Sequence, residues 1–435
     1  MSANVCGAET FLVCLMSDTA HFLAPFLRRR VFAALVFPAF ALSAVAEDAS
    51  KATSNGGANA AIDEAAAHLA AYREQLAQVR NEFGGSRELP DEHFFLFGMG
   101  LRPKLIYKAG QLLDAHSGAV VRRWDVATEV IVPNDYSVRL RTAAGENVGI
   151  VEDERGLWIE TASGREAFPG SEVPLQLPTF AGRPYAAILR VLHQELLFNV
   201  TKAGPTPNLF VYPKPWYRDG AMVALCLKET GNLDQIRDWI LALREPYDRN
   251  NAGETEADNL GEALFLVSLV SDAKHPLVEK VLAELPKFEH TVAGERFILG
   301  HSDFADRPVY QTKWLKYGLR ALGLPDPYTI PQVADGYSAL FWMDYRDAYV
   351  PGHDSADRGA YPYLGWACDH FHKERKSPIS NRDYPLTWEQ NASQADYSGT
   401  AVLSAEYAKK KISAPHTWHA AEAFLDILAE RPMVR

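Results

Sequence analysis

Residues 221 to 227 read AMVALCL, apolar at every position. From 233 to 243, by contrast, Leu233, Ile236, Trp239, Ile240 and Leu243 share one helical face, with Asp234, Arg237 and Asp238 opposite. The alternation recurs: LGEALFLVSLV is apolar nearly all round, whereas LVEKVLAEL carries Leu277, Val278, Val281, Leu282 and Leu285 on a stripe with Glu279, Lys280 and Glu284 outside. A buried helix followed by a covering helix, twice over, predicts helical hairpins in concentric layers. Gly231 can take the left-handed conformation that ends the first helix, and Asn232 with Gln235 has the capping-box spacing that starts the next; Thr255 with Asp258 repeats it. Further helices are expected near residues 309–322, 335–346, 359–373, 399–410 and 415–429.

Upstream the period changes. Residues 94 to 173 hold short runs rich in Val, Ile and aromatics, such as VIVP, YSVRLRT and VGIVEDERGLWIET, with turns at a Gly-Glu-Asn step and at Arg155-Gly156, which predicts a small antiparallel β unit. Before it lie a Ser/Asn/Gly/Ala tether and an Ala/Leu stretch at helical spacing. The expected layout is a signal over 1–46, a linker over 47–60, an N-terminal helix over 61–92, the β unit over 93–178 and a helical domain over 179–435.

The signal rests on Arg28, Arg29 and Arg30, the apolar run VFAALVFPAFALSAVA and a small-x-small site ending at Ala46. Met16 is an alternative start, RRVF hints at twin-arginine export, and an uncleaved anchor is the other reading of the same run. Cleavage places the mature chain in the periplasm or outside the cell. It removes three arginines against two acids, Glu9 and Asp18, so the formal charge of −11 becomes −12. Such an acidic chain is poorly suited to nucleic acid or, once the signal is cut, to anionic membranes. With 47% hydrophobic and 23% charged residues the composition is that of a folded globular protein. Cys226 and Cys368 remain after cleavage, too few for a disulfide framework or a zinc site by themselves. Asp369, His370 and His372 read as a solvated helix face, and no metal or cofactor is expected. A phosphate-binding Gly loop, a Gly-x-Ser-x-Gly elbow and HExxH are all absent.

The segments preceding the inner helices, among them PKPWYRDGAM, AGETEADNLGEA, DRPVYQTKWLKYG, PLTWEQNASQADYSG and SAPHTWHAAEAF, mix Trp or Tyr with carboxylates, Arg or His. Aromatic faces stack on sugar rings and carboxylates perform acid–base work, so a carbohydrate cleft is expected. Asp219 reads either as a first-turn acid meeting the helix dipole beside Arg218 or as a functional carboxylate. Asp258 is explicable as a cap and Glu256 as a dipole partner, with Glu254 beside them. Glu389 has no helix to explain it. The catalytic candidates are Asp219, Glu389 and Glu256, with Glu389 as acid, Asp219 as base or sugar clamp and Glu256 in reserve. Substrate contact is expected from Trp216, Tyr217, Arg218, Asp258, Trp314, Trp388, His416, Trp418 and His419.

WYRDGAM resembles the Trp-x-Arg-Asp-x-Ala segment of glucoamylase-like enzymes, TWEQNAS is similar to their Trp-Glu loop, and PHTWHAAEAFLDIL to their closing helix. Over roughly residues 180–435 the chain therefore resembles the six-hairpin glycosidase-like superfamily. The resemblance implies a mainly α fold, an (α/α)6-type toroid of helical hairpins preceded by the small β unit. It also implies a glycoside hydrolase acting with inversion, an Arg218-Asp219 pair gripping sugar hydroxyls, and Glu389 near the general acid. The expected function is an exported hydrolase of an oligo- or polysaccharide. The alternatives are a polysaccharide lyase or uronate-processing enzyme on the same toroid, using Tyr and His, and a non-catalytic glycan-binding envelope protein.

Overall fold

The Ala-rich stretch after the tether forms α1 (Gly56–Phe83), which buries Ala65, Tyr72, Leu76 and Val79, a single stripe at helical spacing. In the computed structural model the chain is described over residues 56–83, 87–303, 305–331, 379–391 and 395–429. The expected signal and most of the linker lie outside the described residues, as do the helices expected near 335–346 and 359–373 with Cys368, Asp369, His370 and His372.

Two antiparallel meanders follow. The first comprises β1 (Phe94–Phe97), β2 (Leu105–Lys108), β3 (Gln111–Asp114) and β4 (Val120–Arg123) in sequential order. The second runs β5 (Val126–Val132), β6 (Ser137–Thr142), β7 (Asn147–Glu152), β8 (Leu157–Thr161) and β9 (Gly164–Ala167), also in sequential order. In β6 the period of two is plain: Val138 and Leu140 are buried while Arg139 and Arg141 are partly exposed. The β7–β8 turn is held by Asp153, whose Oδ1 accepts from the backbone N–H of Arg155 (2.8 Å) and Gly156 (3.1 Å).

Among the described residues the remaining α-helices are α2 (Ala186–Phe198), α3 (Tyr217–Glu229), α4 (Asp234–Ala242), α5 (Asp258–Val270), α6 (Pro276–Glu284), α7 (Pro308–Ala321), α8 (Ala405–Lys409) and α9 (Thr417–Ala429). As the pattern requires, α3 and α5 are buried over most of their length, while α4 buries Ile236 and Ile240 and α6 buries Leu277, Val278 and Val281. Helix α9 packs on α2 and α3, α3 on α5, and α5 on α7. The last pair meets at Gly261 and Gly318: a Cβ at Gly261 would lie 2.3 Å from the backbone N of Leu315.

The expected mainly α toroid does not form. Helix makes up 39% and strand 22%, with sheets of four and five antiparallel strands, so the architecture is mixed. Nor are the strands an appendage: Phe95, Tyr107, Leu140 and Ile150 share one hydrophobic core with residues of α2, α3, α5, α7 and α9. The alternation of apolar and amphipathic helices fixes which helices are buried; it does not specify that they close a ring or what else enters their core. Between α6 and α7 the chain makes two β-hairpins, Glu289–Val292 with Glu295–Ile298 and His301–Ser302 with Ala305–Asp306. The helix expected at 399–410 is split into a 3-10 turn, Tyr397–Val402, and α8, which Ser404 caps by accepting from the N–H of Glu406 at 3.0 Å.

The expected caps also differ. Gly231 is left-handed (φ 74°), but α4 starts without a side-chain cap. Asn232 instead pairs with the backbone of Gln176, accepting at 2.9 Å and donating at 2.7 Å. Helix α5 likewise has no side-chain cap, because Asp258 turns to Arg218.

Candidate functional site

Four segments bring Asp219, Glu389, His416 and Tyr212 together. Asn199, just past α2, accepts from the N–H of Leu209 at 2.8 Å. Asn208 accepts from Phe210 (2.8 Å) and Val211 (3.0 Å) and donates to Pro415 O at 2.8 Å, which ties the Tyr212 loop to the approach of α9. Buried Glu195 of α2 receives the N–H of Leu386, and the N–H (3.1 Å) and hydroxyl (2.5 Å) of Thr387. The strand that follows sets Glu389 opposite Ser413 in a two-residue ladder, bringing Glu389 alongside the chain that leads into His416. The N–H of Thr417 then donates to Pro207 O at 3.0 Å, so the start of α9 meets the first turn of α3, where Asp219 lies.

Glu389 accepts from the Tyr212 hydroxyl at 2.8 Å on Oε1, and its Oε2 stands 3.2 Å from Nε2 of His416. Asp219 Oδ1 is 3.2 Å from the Thr417 hydroxyl. The His416 ring lies 4.9 Å from that of His419, and Trp216 packs on Tyr212 at 5.3 Å. Asp219 is 4% exposed and His416 6%, whereas the Glu389 side chain keeps 17% of its surface.

The two carboxylates are pushed in opposite directions. Burial raises Asp219 to about 6, against the opposing pull of His416, Arg218 and Thr417. Burial would raise Glu389 too, but the charge and hydrogen bond of His416, with His419 and Tyr212, outweigh it and bring Glu389 to about 2. His416 gains a raised pKa in return: burial lowers it, and Glu389 and Asp219 more than restore it. Buried His419, whose Nδ1 is 2.9 Å from Trp388 O, is pushed down to about 3 by burial and by His416, and is a neutral fastener of the Trp388 backbone. Burial, Glu389 and Tyr397 together keep the Tyr212 proton on well beyond the ordinary phenol range.

On the other side of the α3 first turn lies a second cluster. The Arg218 guanidinium donates to Asp258 (2.8 Å), Asp303 (2.6 Å) and Glu256 (2.6 Å). Asp248 accepts from Tyr217 N–H, and Glu262 accepts from Asn259 (3.3 Å) and Tyr310 (3.1 Å). Burial, reinforced by neighbouring carboxylates, raises Asp248 to about 7 and raises Glu256 and Glu262 as well. Arg218 is itself raised: burial lowers it and the carboxylates overcome that.

The sequence candidates therefore divide. Asp219, Glu389, His416 and Trp216 gather at one place; Glu256, Asp258 and Arg218 form the neighbouring ion cluster, with the Arg218 donors directed at carboxylates. Tyr217 donates its hydroxyl to Glu245 O at 2.6 Å. Trp314 is fully buried against Phe265, ring centroids 5.5 Å apart, and Trp388 and Trp418 belong to the same core. Glu254 is exposed. Sequence reasoning missed Tyr212, Thr417 and Asp303, and it missed Arg87, whose guanidinium stands 5.7 Å from the Trp388 ring centre. For Tyr212 a signal existed, since it opens the same aromatic loop as Trp216; Asp303 and Arg87 reach these clusters only through the fold.

A cavity of about 450 Å³ lies near the same loop, lined by Leu113, His116, Phe210, Ser398 and Gly399 among others, but it contains neither Asp219 nor Glu389. Among the described residues no group of His, Cys, Asp or Glu is arranged to hold a metal ion, and Cys226 is buried with its Sγ against Ala421 O. No family model matches this chain, and neither a curated protein nor a solved structure does.

Proposed function

We propose that the chain is an exported glycoside hydrolase acting on an oligo- or polysaccharide through Asp219 and Glu389. The observation that carries this is that one cluster holds two carboxyls in unlike surroundings: Asp219 is buried against the Thr417 hydroxyl and raised to about 6, while Glu389 meets His416 and Tyr212 and is held down at about 2. Glycoside hydrolysis needs one carboxyl that holds a proton for the leaving oxygen and one that is ionised to activate water or attack the anomeric carbon. On these environments the roles are exchanged relative to the sequence reading: Asp219 is the acid and Glu389 the base or nucleophile. Hydrogen-bond stoichiometry supports the exchange. The Thr417 hydroxyl is within 3.3 Å of Thr206 O, 3.2 Å of Pro207 O and 3.2 Å of Asp219 Oδ1, yet has one hydrogen to give. With that hydrogen on a carbonyl, Asp219 is satisfied when its own proton is donated to the Thr417 oxygen.

Elimination, the lyase chemistry, would use Tyr and His; His416, raised by Glu389 and Asp219, is a poor base, which leaves Tyr212 as the phenolate base. Burial and the adjacent Glu389 charge hold its proton on, so hydrolysis is the better fit. The test is incubation of the chain from Glu47 with neutral and acidic polysaccharides, followed both for new reducing ends and for ultraviolet absorbance of unsaturated uronates. Hydrolysis gives reducing ends without absorbance, abolished in both Glu389→Gln and Asp219→Asn. Absorbance would establish a lyase, and binding without either product would establish a glycan-binding protein.

A further inference from the structure

Resting on the reading of Glu389 as part of a glycan site, we propose that Arg87 is a specificity residue that holds an anionic group of the sugar, so that the substrate is an acidic glycan. Arg87 is held by its backbone against the segment that leads to Glu389: its N–H donates to Ile379 O (3.4 Å) and its carbonyl accepts from Asn381 (2.8 Å). Its guanidinium lies over Trp388, 5.7 Å from the ring centre, which aims the cation from the residue preceding Glu389. The Glu389 charge raises the Arg87 pKa and Arg87 lowers that of His419, so it is within electrostatic reach of the catalytic side of that strand.

The guanidinium is half-buried, and the cost is visible: burial lowers its pKa by more than Glu389 restores. Yet among the described residues it has no hydrogen-bond or ion-pair partner. The contrast with Arg218 is instructive, since that guanidinium meets three carboxylates. A planar fork of five donors, stacked and with no acceptor among the described residues, matches a carboxylate or a sulfate ester. The two sources share that chemistry and differ in where the charge sits on the sugar.

The experiment measures binding by calorimetric titration of galacturonate and glucuronate oligosaccharides, their carboxyl methyl esters and a sulfated neutral oligosaccharide. Wild type, Arg87→Gln and Trp388→Phe are compared, each checked for folding by its thermal transition. Wild type is expected to bind a charged form about tenfold or more tightly than its uncharged counterpart, the scale of a charge-assisted hydrogen bond. Arg87→Gln should bring that ratio close to one, and Trp388→Phe should reduce it. Preference for the free acids identifies a uronate, and preference for the sulfated probe a sulfate ester.

A ratio near one in wild type, no binding of any charged probe, or a ratio that Arg87→Gln leaves intact overturns the inference. A guanidinium that merely braces Trp388 would lower the thermal midpoint without moving the ratio. Failure of the hydrolase reading is separately visible, as an Arg87-dependent preference with no reducing ends released from any probe. Hydrolysis that ignores substrate charge in both wild type and Arg87→Gln would overturn the anion site alone.

Discussion

Asp219 and Glu389 are chemically near-identical side chains whose surroundings give them different proton affinities. In the proposed mechanism activity needs Asp219 protonated and Glu389 ionised. With Asp219 near 6 and Glu389 near 2, kcat/KM should be level at mildly acidic pH and fall about tenfold per unit above roughly pH 6. His416 lowers both carboxyls, so His416→Asn should move the alkaline limb to higher pH and bring an acid limb into view; an unchanged profile would remove His416 from the mechanism. Arg218 has a different burden. Replacing it by Met removes the guanidinium that Asp258, Glu256 and Asp303 share, and a loss of about 3–5 kcal/mol in urea unfolding is expected for a buried pair broken on one side. The aromatic neighbours of Asp219 and Glu389 are legible in the sequence. Which one keeps its proton is not, because that depends on the Thr417 hydroxyl and on His416, which the chain supplies about 200 residues after Asp219.

At the scale of elements, the site depends on how a few segments are fastened. Thr387 is the clearest fastener: its hydroxyl donates to Glu195 and lies 3.3 Å from the His416 N–H, so one side chain joins α2, the Glu389 strand and the entry to α9. Thr387→Val should keep the fold but loosen Glu389 relative to His416. The expected result is a drop in kcat of about tenfold or more with the alkaline limb displaced, and unchanged kinetics would refute the role. The α5–α7 contact makes a purely structural prediction. Gly261→Ala forces a Cβ against the Leu315 backbone and should cost about 1–3 kcal/mol in denaturant unfolding, the usual range for overpacking. The burial of α3 and α5 and the one-sidedness of α4 and α6 were readable from apolar spacing alone. The capping boxes were not: Asn232 and Asp258 have the right spacing, but Gln176 and Arg218 offer them partners that sequence neighbours cannot outbid.

Across the whole molecule, several buried carboxyls keep their protons unusually long. Burial raises Glu195 to about 8 and Asp248 to about 7. A raised carboxyl is protonated in the folded state where the unfolded chain has already ionised, so its contribution is favourable at low pH and is lost as pH rises toward the folded value. Buried His193, pushed to about 3, acts in the opposite sense and gains stability between that value and about 6.5. Glu195→Gln isolates one group: its stability relative to wild type should grow with pH from the ordinary glutamate range to about 8, by at most about 1.4 kcal/mol per unit. A difference independent of pH would mean that Glu195 is ionised in the fold. What the sequence by itself determined was local: the β-meander turns, the buried and covering helices, and the aromatic loops that carry Asp219 and Glu389. Those follow from periodicity and turn chemistry, which act over a few residues. Only the tertiary structure decided that the sheets and helices share one core instead of closing a helical ring, that Arg218 is surrounded by carboxylates, and that Arg87 lies over Trp388, the residue before Glu389. Each of these depends on contacts between residues far apart in sequence, and on the burial those contacts create, neither of which a local pattern encodes.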